Sequence, residues 1–372
     1  MIYLDYNATT PLAPEVARTM QPYLEGEFGN PGSAYPLGQR AAQAVARARE
    51  EVAALIRCRP EEVMFTSGAT EANNTALIGV AEHCGRGQII TATTEHPAVL
   101  SPCLYLMSRG FDVTFLPVDG AGLVDPDALR RAITPQTILI SIMHANNETG
   151  ALQPLSQMGN IAREAGVRFH TDAAQSVGKV RVAVEELGVD FLTLAGHKFY
   201  APKGVGALYV RAGTPFTPLL HGAGQEGGRR PGTENVPHLV GLGEASRLAR
   251  ERLDQDMGHL AILRDLLHER LRAGFPNLVL NGPETERLPN TLNVSFSGLS
   301  GGAILEGLPE LAASLGAACH SGQEKPSHVL QAMGLTPERA RGAVRLSVGR
   351  PTTRDDVEQA AGLILKRVRA LL

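Results

Sequence analysis

Between about residues 60 and 215, short apolar runs alternate with amphipathic stretches, and this alternation restricts the fold more than any other feature of the chain. Glu62-Val63-Met64-Phe65, Gln88-Ile89-Ile90-Thr91, Asp112-Val113-Thr114-Phe115 and Thr137-Ile138-Leu139-Ile140-Ser141-Ile142 read as buried strands. Val167-Arg168-Phe169-His170, Phe191-Leu192-Thr193-Leu194 and Val205-Gly206-Ala207-Leu208-Tyr209-Val210 continue the series. Strands that alternate with helical patterns predict an α/β fold with a mainly parallel, doubly wound sheet. Ahead of this sheet, Gly38 to Arg57 puts Val45, Val52, Leu55 and Ile56 on one helical face.

The pattern changes at Gly222-Ala223-Gly224-Gln225-Glu226-Gly227-Gly228-Arg229-Arg230-Pro231-Gly232, which is too rich in glycine for a regular element. A long helix is then signalled by Leu253, Met257, Leu260, Leu263, Leu267 and Leu271. A smaller C-terminal α/β unit follows and closes with an amphipathic helix carrying Val357, Ala361, Ile364, Val368 and Leu371. With 372 residues, one core is not expected to serve the whole chain. The expected division is a large domain over 16–252 and a small domain formed by 1–15 together with 253–372.

Composition removes several classes of function. A net charge of −3 without a basic run argues against nucleic acid or an anionic membrane as partner. No apolar stretch approaches the roughly 20 residues of a membrane span. The start, Met1-Ile2-Tyr3-Leu4-Asp5-Tyr6, does not read as a signal peptide. Cys58, Cys84, Cys103 and Cys319 lie far apart with no CxxC pair, which fits a reducing cytoplasm with at most one thiol doing chemistry. The eleven histidines form no metal-ligand spacing, so no metal is expected.

Lys198 is the sharpest chemical signal. It follows the apolar strand Phe191 to Ala195 within Gly196-His197-Lys198-Phe199-Tyr200, near the strand end where open α/β sheets place ligands. A partly desolvated amine there suits Schiff-base formation, although a snorkelling surface lysine is the commoner case. Asp172 lies 26 residues earlier, about one βαβ unit, just past another strand. Alone it would read as a helix cap. Beside Lys198 it reads as an acid that can keep a pyridinium nitrogen protonated. Ser67-Gly68-Ala69-Thr70 sits at a strand–turn–helix junction, where backbone N–H groups and the helix dipole favour a phosphate or merely cap the helix. Gly222, Gly224 and Gly227 match a dinucleotide fingerprint as a string, but no apolar helix follows. Cys319 stands in Gly316-Ala317-Ala318-Cys319-His320-Ser321-Gly322, a small polar segment in which a thiol can be exposed and partly thiolate. The other three cysteines read as inert.

Taken together, these stretches resemble the cysteine desulfurases of the NifS/IscS type, among the class V aminotransferase-like, fold-type-I enzymes that use pyridoxal 5'-phosphate (PLP). The resemblance covers essentially the whole chain. Its markers include Tyr3-Leu4-Asp5-Tyr6-Asn7-Ala8-Thr9-Thr10-Pro11, Glu95-His96-Pro97-Ala98-Val99, Asn146-Asn147-Glu148-Thr149-Gly150, His170-Thr171-Asp172, Gly196-His197-Lys198, Arg230-Pro231-Gly232-Thr233-Glu234-Asn235 and Arg345-Leu346-Ser347-Val348-Gly349-Arg350.

The resemblance implies that Lys198 carries PLP covalently and moves the substrate's Cα proton, while His96 stacks on the ring. It implies that Asp172 pairs with the ring nitrogen and that Gln175 and Asn147 address the ring oxygen and the substrate. Thr70, Ala69 and His197 would bind phosphate, joined by Thr233 from the partner subunit of a homodimer. Arg350 would clamp the substrate carboxylate, with Asn7 nearby. Cys319, in the small domain, would take sulfur from L-cysteine as a persulfide and pass it to an acceptor such as an iron–sulfur scaffold.

Two departures stand out. Ala195 occupies a position where many desulfurases have a phosphate-binding serine. The surroundings of Cys319 and Lys198 also resemble selenocysteine lyases, which leaves L-selenocysteine as an alternative substrate. Another PLP reaction such as transamination, a cofactor-free thiol hydrolase and a non-catalytic sulfur carrier are the competing readings.

Overall fold

A computed structural model of the chain describes residues 1–316 and 327–372. Its strands are β1 (Ile2–Tyr3), β2 (Val63–Thr66), β3 (Gln88–Ala92), β4 (Asp112–Leu116), β5 (Thr137–Ser141), β6 (Arg168–Asp172), β7 (Phe191–Ala195), β8 (Gly206–Val210), β9 (Leu278–Leu280), β10 (Thr291–Phe296), β11 (Leu311–Ala312) and β12 (Ala343–Ser347). Helices α1 (Pro14–Glu25), α2 (Pro36–Ile56), α3 (Ala69–Cys84), α4 (Pro97–Ser108), α5 (Pro126–Ala132), α6 (Leu155–Ala165), α7 (Val184–Leu187) and α8 (Val236–Gly274) precede the small sheet. The main sheet runs β2-β8-β7-β6-β5-β3-β4, and within it β8 is antiparallel to both of its neighbours. The remaining pairs are parallel. All seven strands expected from the apolar runs are present.

Those runs are apolar throughout because both faces of the sheet are covered. Successive strand residues point to opposite sides. Met64, Ile89, Leu139 and Phe191 pack with Ala72, Ala76, Leu77 and Val80 of α3 and with Val99 and Leu106 of α4. Phe65, Ile90, Ile140 and Leu192 pack on the other face with α2, α6 and the first half of α8. A separate core joins Leu260, Leu263, Leu267 and Leu271 of α8 to Val294, Leu346, Val357, Ile364 and Val368, and Leu4 joins it from the N-terminus. It is built on the antiparallel sheet β12-β10-β9 and the closing helix Arg354–Leu371.

The helix expected over 253–271 begins at Val236 and is continuous to Gly274, so residue 252 lies inside it. Its first half was hidden by Gly241 and Gly243, residues that normally weaken a helix. Here they permit close packing, because a Cβ on Gly243 would lie 2.6 Å from Ala48 Cα of α2. The glycine-rich stretch 222–232 holds only a short 3-10 turn, Gln225–Gly228. Within it, Glu226 accepts bonds of 2.7 Å from Arg49 Nη1 and Nη2 and one of 3.0 Å from Phe65 N, so it braces β2 and forms no dinucleotide loop.

Gly243→Ala forces α2 and α8 apart. We expect a loss of about 1–3 kcal/mol, seen as a thermal midpoint lower by several degrees. An unchanged midpoint would mean that the helix pair can relax without penalty.

Candidate active site

A cavity of about 850 Å³ opens at the C-terminal edge of the main sheet, where successive strands end. Ser67 to Glu71 enter it after β2 and His96 after β3. Met143, Ala145 and Asn147 follow β5, Asp172 and Gln175 end β6, and Ala195, His197 and Lys198 end β7. Asn7, Ala8 and Thr9 close one side, and Ser314, Gly316, His328 and Arg345 contribute from the small sheet's side.

Of the residues singled out in the sequence, Lys198, His96, Asp172, Gln175, Thr70, Ala69, His197, Asn147 and Asn7 all line this one cavity. Thr233 is exposed and is not among its lining residues. Cys319 lies outside the described residues.

Lys198 Nζ donates to the backbone carbonyls of Asn7 (2.7 Å) and Ala8 (2.8 Å). Burial, aided by the positive charge of Arg345, lowers its pKa to about 8, against the opposing pull of Asp172 and Asp5. Asp172 is held by Asn73 Nδ2 at 2.7 Å on one oxygen and by Ala174 N at 2.9 Å on the other. The capping reading of Asp172 thus describes one oxygen only, while the carboxylate still lines the cavity. His96 caps α4, its Nδ1 accepting from Ala98 N at 3.1 Å. Burial lowers its pKa, with Lys198 and His328 adding to the effect and Asp172 opposing it. A neutral ring with Nδ1 as acceptor carries its proton on Nε2. Burial and then the positive charges of Lys198, Lys203 and Lys179 push His197 down to about 4, and its Nδ1 lies 3.1 Å from Thr9 Oγ1.

Gly68 caps α3 with φ 149°, a conformation open to glycine, and its Cα is 2.8 Å from where a Cβ on Gly206 would stand. This tight β2–α3 turn leaves the first N–H groups of a 16-residue helix facing the cavity wall. Such an end attracts an anion. Ala195 lies on the same wall and offers no side-chain donor.

Arg350 stands apart from the other expected residues. Its guanidinium is held by Asp256 of α8 through Nε (2.8 Å) and Nη2 (2.7 Å) and lies 4.3 Å above the centre of the Tyr200 ring. It is absent from the cavity lining. A buried carboxylate on α8 competes for it, and nothing in the local sequence reveals that. Arg345 lines the cavity instead, with Nη2 on Asp5 Oδ1 at 2.6 Å and Nη1 on the Asn147 carbonyl at 3.0 Å. Its buried Nε has no partner among the described residues. The available signal was its place in β12, between the core residues Val344 and Leu346. His328 was also missed; it lines the cavity and its Nε2 lies 3.0 Å from the Glu95 carbonyl.

Cys58 and Cys103 fit the inert reading, since burial pushes both thiols up to about 12. Among the described residues no group of three or more His, Cys, Asp or Glu could hold a metal ion. No helix among them is long and apolar enough to cross a membrane.

A sheet of this order with a lysine and an acid at neighbouring strand ends is the architecture of the fold-type-I PLP enzymes. The sequence matches the aminotransferase class-V family over residues 2–360, and the chain belongs to that family. It is 46% identical over 374 residues to the cysteine desulfurase IscS of Dictyoglomus turgidum, covering 100% of this chain and 95% of that one. A solved NifS-like protein superposes with a TM-score of 0.93 at 37% identity, covering both chains completely. The structure of SspA in complex with cysteine superposes with a TM-score of 0.86 at 38% identity, covering 95% of this chain and 100% of that one.

The lowered Lys198 pKa sets the sign of a pH effect. Between about 8 and the ordinary 10.5, the unfolded chain holds more protons on this amine than the folded one. The stability of cofactor-free protein therefore gains from Lys198 as pH rises through that window. Relative to Lys198→Met, the thermal midpoint of the wild-type protein should climb over that range. A constant difference would show that the amine titrates normally.

Proposed function

We propose that this chain is a PLP-dependent cysteine desulfurase that takes the sulfur of L-cysteine onto Cys319 and releases L-alanine. The observation that carries this reading is Lys198, a half-buried amine with its pKa lowered to about 8, sharing a cavity with Asp172 in a chain 46% identical to a cysteine desulfurase. The relatives named for cysteine favour sulfur over selenium.

The residues fit the cofactor chemically. Lys198 supplies the amine, Asp172 the acid for a ring nitrogen, and His96 a neutral flat ring. The α3 N-terminus with Ala69 and Thr70, together with His197, suits the phosphate. Bound PLP supplies a carbonyl for the lysine and a ring that accepts electrons. Asp172 keeps a proton on the ring nitrogen, and its two N–H donors hold that carboxylate in place. Lys198, with its pKa near neutrality, can take a proton from a substrate carbon and return it. Gln175 and Asn147 address the ring oxygen and the substrate, with Asn7 beside them.

Arg345, which lines the cavity, suits the substrate carboxylate better than Arg350, whose guanidinium Asp256 already holds. At the sulfur, the Cys319 thiolate attacks the substrate's Sγ. An S–S bond forms, the C–S bond breaks with its electron pair on carbon, and that carbon takes a proton to become alanine's methyl group. The persulfide sulfur then passes to an acceptor protein such as an iron–sulfur scaffold. A homodimer would bring Thr233, exposed in the single chain, to the partner's phosphate site.

Lys198→Ala should leave the purified protein colourless and lower alanine release from cysteine by a thousandfold or more, on the order expected for loss of a covalent catalyst. Cys319→Ala should abolish the extra sulfur that mass spectrometry finds on the wild-type peptide after incubation with cysteine. Full desulfurase activity in Cys319→Ala would rule out the persulfide route. Arg345→Met should raise KM for cysteine roughly tenfold or more, the size of one charge-assisted bond. Arg350→Met should lower the melting temperature and change KM little. The opposite pattern would restore Arg350 as the carboxylate clamp.

A further inference from the structure

Lys179 is buried behind the cavity, in the turn region between Asp172 and α7, and no residue role above accounts for it. Its Nζ forms no ion pair among the described residues. It donates to two amide oxygens, Gln175 Oε1 at 2.7 Å and Asn7 Oδ1 at 3.2 Å. Lysine is seldom fully buried without a paired charge, so its retention here points to a task.

The hydrogen-bond directions define that task. Gln175 Nε2 donates to the Asn7 backbone carbonyl at 2.9 Å, the same oxygen that receives Lys198 Nζ at 2.7 Å. Rotating the carboxamide by half a turn would set Oε1 against that carbonyl and Nε2 against the lysine amine. Acceptor would face acceptor and donor would face donor. Asn7 is fixed by the same logic. Its Nδ2 donates to the Asn147 carbonyl (3.1 Å) and Thr291 Oγ1 (2.8 Å), so Oδ1 must receive donors, and it does so from Lys179 and from Asn290 Nδ2 at 3.0 Å.

We propose that Lys179 is a positioning residue that locks the Gln175 carboxamide with an N–H toward the cavity, making Gln175 a hydrogen-bond donor to the cofactor's ring oxygen. This inference rests on the PLP assignment and specifies how the Gln175 contact is enforced. Lys179 has Lys198 and Arg345 as its charged neighbours, and Lys198 in turn faces Arg345, Asp172 and Asp5. Burial and the two cations draw the Lys179 pKa well below the ordinary value. Either charge state donates to both oxygens, so the lock holds across the working range of pH.

A donor on the ring oxygen favours the deprotonated form of the bound chromophore, as does any positive charge behind it. The test is a pH titration of the visible absorbance of cofactor-loaded wild type, Lys179→Met, Gln175→Ala and the double variant, with melting temperatures measured alongside. Lys179→Met should raise the midpoint by about one pH unit, the scale of one hydrogen bond to a charged group. In the Gln175→Ala background the same substitution should add little, because the two act as a unit. A Lys179→Met midpoint equal to wild type overturns the proposal, even if stability changes. An undiminished shift in the Gln175→Ala background also overturns it, since the lysine would then act by charge alone. If Lys179→Met does not fold, Lys179→Leu gives the same reading. A wild-type protein that shows no visible band with added PLP rejects the cofactor assignment itself, a result distinct from both.

Discussion

Asn7 is a point at which the large and small sheets of this molecule are tied together. It is buried, and its amide N–H donates to Ser347 Oγ at 3.0 Å, while its side chain bonds Thr291 and Asn290. Those three belong to or border the small sheet. Its backbone carbonyl receives Lys198 and Gln175, and its side-chain oxygen receives Lys179, all from the large sheet's edge. A buried network is rigid only while every member is satisfied, and leaving one group unpaired is expensive in a low-dielectric interior. The N-terminal segment is thus held in one register by polar contacts, although the β1–β11 pair that precedes it spans only two residues on each strand. The Lys198 amine rests on the carbonyls of that same segment.

The electrostatics of the cavity follow from this arrangement. Lys198, Arg345 and His197 belong to the cavity wall with Lys179 behind them, and the carboxylates near them include Asp172, Asp5 and, beside Arg345, Glu148. Crowded cations lower one another's pKa values, and burial acts in the same direction. The result is a lysine poised near neutrality and two uncharged imidazoles, His96 and His197, in a pocket that retains a surplus of donors. Such a wall suits a ligand that brings its own negative charge, as a phosphate and a carboxylate do.

Much of this was visible in the sequence because its cause is local. Both-face burial makes each strand an unbroken apolar run, and the residue just past each run lies at the sheet edge. Asp172 and Lys198 could therefore be placed together from spacing alone. The first half of α8 was not visible, since Gly241 and Gly243 read as helix weakeners until Ala48 is known to lie against Gly243. The different surroundings of Arg345 and Arg350 were equally hidden. Both belong to one six-residue motif, and what separates them is Asp256, 94 positions earlier in the chain. Lys179 carried no signal either, because a lysine in a glycine-bordered turn normally faces water.

These misses share a physical origin. Each concerns a charged or small residue whose role is set by one distant partner rather than by the periodicity of its own segment. Hydrophobic pattern reports burial averaged over an element, so it locates strands and helix faces well. It cannot say which of two arginines a buried carboxylate will capture, because that depends on the desolvation of a single pair. Arg350 beneath Asp256 and above Tyr200 ties α8 to the segment after β12, whereas Arg345 lines the cavity and bonds Asp5 and the Asn147 carbonyl. The first arginine of the motif lies in a strand whose alternate residues are core, and the second lies beyond the strand end.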